Sequence, residues 1–116
     1  MYKVNKNEHT VLFDVDDTLV SLDPIPGVTP IEFEGGKYYP IQETIEKLKN
    51  SHHRNHFVRV HSQGGHKWAE KVVKLLQLQD YVDEIETKPR WYYDDLPADV
   101  WMHRFDVRKY KGEDHK

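Results

Sequence analysis

The stretch "VLFDVDDTLV", Val11 to Val20, sets an apolar run against three carboxylates, Asp14, Asp16 and Asp17, and a threonine, Thr18. Like charges a few ångströms apart favour protonation of one of them unless a cation or hydrogen bonds offset the repulsion. A bound partner is therefore expected here. Residues two apart at a strand end point to the same side, so Asp14 and Asp16 can face one ligand together while Asp17 points away. Mg²⁺ prefers oxygen ligands and keeps several waters, so one or two protein carboxylates plus a substrate phosphate are enough to hold it. An aspartate can also act as a nucleophile, splitting one hard displacement into two easier steps through an aspartyl-phosphate. A second carboxylic acid two residues on can protonate the leaving oxygen and later deprotonate water.

Other residues supply what phosphoryl transfer needs, which is mainly positioning and neutralisation of the charge on the equatorial oxygens. Ser62 ends the run "FVRVHS" and offers a hydroxyl donor. The backbone amides of Gln63, Gly64 and Gly65, just before a helix, are natural anion donors. Lys88, in "TKPRWYYDD", brings a positive charge, and the same stretch ends in Asp94 and Asp95.

The elements that must position these groups follow from periodicity. "TVLF" is a continuous apolar run with β-branched and aromatic residues, the pattern of a strand buried on both faces of a parallel sheet. Between Ser21 and Pro40 lie four prolines and three glycines. Within that stretch "IEFEGGKYY" reads as two short strand arms about Gly35-Gly36, a hairpin flap. Ile41, Ile45 and Leu48 fall at helical spacing, "SHHRNH" is a polar connector, and "FVRV" is a second strand. In "HKWAEKVVKLLQLQ", Ala69, Val72, Val73 and Leu76 mark one face of a helix. "DEIE" is a weak third strand and "RWYY" a better fourth, ending at Asp94 and Asp95. Strands alternating with helices imply a parallel sheet with right-handed crossovers, whose ligand site lies beyond the carboxyl ends of the strands. The expected fold class is α/β, a Rossmann-like three-layer sandwich with a small, mostly parallel sheet and a flap over about 21–40. Residues 1–105 form the single domain, and 106–116 read as a charged, fraying tail.

These residues in this order resemble the haloacid dehalogenase superfamily of phosphohydrolases. Its first motif, DxDx(T/V), is similar to "DVDDT", Asp14 to Thr18. Its second, a Ser or Thr ending a hydrophobic strand, is similar to Ser62. Its third, a lysine often followed by proline, is similar to Lys88 and Pro89. Its fourth, an acidic residue with another four positions later, is similar to Asp95 with Asp99, Asp94 preceding. The resemblance spans Val11 to Asp99. It implies Asp14 as nucleophile and metal ligand, and Asp16 as general acid/base with its carbonyl on Mg²⁺. Asp95 or Asp94 would complete the metal shell, Thr18 and Asp99 would support it, and Ser62 with Lys88 would hold the phosphate. Lys71 and Lys74 are the alternatives to Lys88. The chain has no room for a separate cap domain, so the resemblance implies an open site acting on an accessible phosphomonoester. Aromatic contact from Phe33, Tyr38 and Tyr39 on the flap is set against the plainer reading that these rings pack the hairpin onto the body.

At 116 residues the chain is long enough for one core and too short for two. A net charge of −3 gives no global attraction for nucleic-acid phosphates. The lack of cysteine excludes disulfides and thiolate chemistry, and "MYKVNKNEHT" lacks the apolar centre of a signal peptide, so a cytoplasmic protein without a membrane or obligate protein partner is expected. His52, His53 and His56 crowd together, but in a polar connector they read as solvated and not as a zinc site. His61 and His66 read as pocket wall. Arg104, Arg108, Lys109 and Lys111 read as solvated charges. Against the leading function, a Mg²⁺-dependent phosphomonoesterase, stand two rivals. One is a non-catalytic binding module on the same fold. The other is a receiver-type phosphoacceptor domain, which needs a mid-chain strand-end aspartate that "FVRVHS" does not offer.

Overall fold

The computed structural model describes residues 9–109 of the chain. Its centre is a three-stranded parallel sheet in the order β1-β5-β6, built from Thr10–Asp14, Phe57–Ser62 and Glu84–Thr87. Helix α1, Gln42–His53, connects the first pair and helix α2, His66–Leu75, the second. The molecule is thus a small α/β protein, as the alternation of patterns requires. Register aligns the strand ends: Asp14 pairs with His61, His61 with Glu86, and Ser62 with Thr87.

The core lies between sheet and helices. Val58 and Val60 of β5 are fully buried, and Phe13 nearly so. Leu48 of α1 and Ala69, Val72 and Val73 of α2 pack against them. The alternating burial of β5 shows why a strand forms there, since every second residue enters the core. Burying a Leu or Val in this way is worth about 1.5–3 kcal/mol, so these few contacts outweigh any surface ion pair in holding the layers together.

Between β1 and α1 the chain makes a second, antiparallel sheet in the order β2-β4-β3, from Val20–Ser21, Gly36–Pro40 and Ile31–Phe33. It contains the expected hairpin, but the turn lies one residue earlier than expected, at Glu34-Gly35, because Phe33 pairs with Gly36, and β2 adds a third strand. Tyr38 lies 5.4 Å from Trp68 of α2, ring centre to ring centre, and Lys71 of α2 pairs with Glu34 at 2.8 Å. The hairpin is therefore packed onto the body through Tyr38.

Three local readings differ from the structure. Helix α1 runs on through His53, because His52 and His53 pack edge-on against Tyr81, at 5.3 and 5.8 Å. The "RWYY" segment forms no strand: Trp91, Tyr92 and Tyr93 are all exposed, and no strand pairs with them. Strand propensity describes fit to a half-buried pleated surface, and these residues have none to fit. A single helical turn, α3 over Ala98–Trp101, follows instead. Residues 106–109, expected to fray, contact the body through Lys109 and Arg108, and the remainder of that tail lies outside the described residues. Among the described residues no helix is long and apolar enough to cross a membrane.

Candidate active site

The carboxylates sit on a tight loop whose shape is set by its apolar members. Val15, Leu19 and Val20 are buried, while Asp16 and Asp17 are exposed between them. The carbonyl of Val15 accepts the N–H groups of Thr18, Leu19 and Val20, and Asp17 N–H donates to the Val20 carbonyl at 2.7 Å. Asp17 takes φ of 62°, a left-handed conformation that aspartate tolerates better than most residues. Burying the apolar side chains thus forces the acidic ones outward. They open onto a cleft of about 490 Å³ lined by Asp14, Asp16, Asp17 and Thr18 on one side and by Arg104, Asp106 and Val107 on the other.

Two of the carboxylates have partners that periodicity could not reveal. The Trp68 indole Nε1–H donates to Asp16 Oδ1 at 3.1 Å, and Lys109 Nζ lies 3.0 Å from Asp17 Oδ1. Asp17 is thereby neutralised by a residue 92 positions away. Asp14 stands in register with His61. Burial and the charge of Lys88 push the His61 imidazole below its usual value of 6.5, with Asp14 and Glu86 opposing. His61 is thus held toward its neutral form beside the aspartate.

The second strand end is built around Ser62, which is buried. Its Oγ accepts the Gly64 N–H at 3.0 Å, and its carbonyl accepts the N–H groups of Gly65 at 3.1 Å and Lys88 at 2.8 Å. Lys88 is therefore fixed next to Ser62, while Lys71 is engaged with Glu34. Gly65, the residue before α2, has φ of 101°, a conformation that glycine adopts without the steric cost other residues meet. The first helical N–H, of His66, donates to Thr87 Oγ1 of β6 at 3.0 Å, locking helix to sheet. Because Ser62 is buried and occupies the Gly64 and Gly65 amides, an anion at this strand end would meet Gln63 and Lys88 and only the edge of the Ser62 hydroxyl, and none of the three lines the cleft of Asp14 and Asp16.

The fourth group is not gathered in. Asp94 Oδ1 accepts the Leu96 N–H at 3.0 Å and so closes its own turn, and Asp94, Asp95 and Asp99 are exposed and do not line the cleft. Among the described residues no three histidine or carboxylate side chains gather closely enough to enclose a metal ion. The donor chemistry still fits Mg²⁺, which commonly takes one or two protein carboxylates and completes its shell with water and phosphate. Asp14 would supply such a carboxylate, and Asp16 would add its backbone carbonyl. Arg104, Asp106 and Lys109 were not foreseen as part of this site, and only chain folding could have revealed them. Comparison of the chain with family models, curated proteins and solved structures found no match.

Proposed function

We propose that the protein is a Mg²⁺-dependent phosphohydrolase acting on phosphomonoesters through an aspartyl-phosphate on Asp14, as in haloacid dehalogenase-type enzymes. The observation that carries the reading is that Asp14 and Asp16 line one open cleft at the end of a parallel strand, with Ser62 and Lys88 at the ends of the adjoining strands. Asp14 attacks phosphorus, and its carboxylate oxygen forms the new bond as the ester oxygen leaves. Asp16 gives that oxygen a proton and later takes one from the water that hydrolyses the aspartyl-phosphate. The Trp68 bond to Oδ1 orients Asp16 and leaves Oδ2 for the proton. Ser62, Gln63 and Lys88 hold the phosphoryl oxygens. The Asp14 carboxylate and the Asp16 backbone carbonyl would hold Mg²⁺, which would supply neutralisation of negative charge at the phosphate. The neutral state favoured for His61 avoids adding a cation that would compete for Asp14.

The test is phosphate release from an aryl phosphate with and without Mg²⁺. Release should require Mg²⁺, and Asp14→Asn should lower turnover at least about a thousandfold, as expected on losing a nucleophile. A variant that keeps its rate would remove Asp14 from that role. The second reading, a binding module without turnover, draws on the position of Asp94, Asp95 and Asp99 outside the cleft. It predicts phosphate binding with no Mg²⁺-dependent release.

A further inference from the structure

Two clefts meet at Arg104. The first is the acidic one that holds Asp14 and Asp16. The second, about 340 Å³, shares Arg104 and Asp106 with it and is completed by Glu43, Lys47, His103, Phe105 and Arg108. Its charge is the reverse of its neighbour's, with Lys47, Arg104 and Arg108 set against two carboxylates. Glu43 and Lys47 stand one turn apart on α1 and so share a face. The existing pairs leave cationic capacity unused. Arg108 Nε is 3.7 Å from Glu43, and Arg104 holds Asp106 through one nitrogen at 2.9 Å with its side chain 84% exposed. Lys47 has no ion pair among the described residues. So exposed a pair contributes little, and a guanidinium fork exchanges it readily for a phosphate, which it can bind through two nitrogens.

From this arrangement we infer that the second cleft binds a second phosphate group of the substrate through Lys47 and Arg104. This rests on the phosphohydrolase reading of the first cleft and names its substrate class: a molecule with one phosphate to be cleaved at Asp14 and another phosphate one cleft away. Such a pair occurs in small bisphosphates and at phosphorylated nucleic-acid ends, where the second group is a diester.

Calorimetric titration of the full chain with Mg²⁺ tests it, using adenosine 3′,5′-bisphosphate, adenosine 5′-monophosphate and a 5′-phosphorylated dinucleotide. The bisphosphate should bind about tenfold tighter than the monophosphate, the effect of one or two charge-assisted contacts. Lys47→Ala and Arg104→Ala should each cut that ratio, and the double variant should bring it to about one. Arg104→Lys should keep part of it. Arg90→Ala should leave it intact, since Arg90 lies over Trp91 and lines neither cleft. Lys47 and Arg104 are exposed, so the variants should fold, which circular dichroism checks. Equal gain from the dinucleotide assigns the cleft to a nucleic-acid end, and gain from the bisphosphate alone assigns it to a small molecule. A wild-type ratio near one, or a ratio that survives the double substitution, overturns the inference. Binding with the expected ratio but no hydrolysis of any ligand would remove the catalytic reading while leaving the anion site in place.

Discussion

Asp16 illustrates how one side chain acquires a role through a neighbour far along the chain. The Trp68 indole holds one of its oxygens, and Trp68 is itself held by Tyr38 and by the core. Trp68→Phe keeps the packing and removes the N–H, so turnover should fall about tenfold with little change in melting temperature. An equal loss in both would mean that Trp68 acts only by packing. His61 provides a pH signature. Its folded pKa is depressed below 6.5, so the stability tied to its neutral form is complete above the unfolded value and declines as pH falls toward the folded one. In EDTA, urea unfolding should show stability dropping as pH is lowered from about 6.5 toward the depressed folded value. In His61→Gln that part of the slope should vanish.

At the level of elements, buried apolar area and backbone conformation decide stability, and surface charge decides little. Leu48→Ala in α1 removes a fully buried side chain and should cost about 2–5 kcal/mol. Gly65→Ala puts a side chain where φ is 101° and should cost about 1–3 kcal/mol, with α2 still formed. Lys71→Ala, which breaks an exposed pair with Glu34, should change stability by less than about 1 kcal/mol. Chemical denaturation of the three variants checks this order. Helices α1 and α2 were legible because their apolar residues recur at helical spacing, and the parallel strands from short apolar runs, of which "DEIE" was the weakest. "RWYY" misled because its aromatic residues carry strand propensity without a sheet edge to receive them. The end of α1 escapes a local pattern because His52 and His53 gain their packing from Tyr81, which lies far along the chain.

Across the whole molecule, the C-terminal segment returns to the first loop and closes its cleft from the far side. Lys109 reaches Asp17 and Arg108 reaches Glu43. Mg²⁺ binding to the native aspartates should raise the melting temperature, since the unfolded chain does not hold them together. The shift should disappear in Asp14→Asn and persist in Asp16→Asn, which keeps its backbone carbonyl, and in Asp95→Asn, which calorimetry reads directly; loss in Asp95→Asn would bring that residue into the metal's shell. The sequence by itself determined the α/β alternation, the flap and the grouping of Asp14, Asp16 and Thr18 on one loop, because each depends on residues close together in the chain. The position of Ser62 and Lys88 beside each other follows from the order of strands and is nearly as local. Only the tertiary structure decided which carboxylates face the cleft, that Trp68 and Lys109 hold two of them, and that Arg104 stands where two clefts of opposite charge meet. The contacts of Trp68 and Lys109 join positions 52 and 92 residues apart, and no periodicity records contacts that exist only after the chain has folded back on itself.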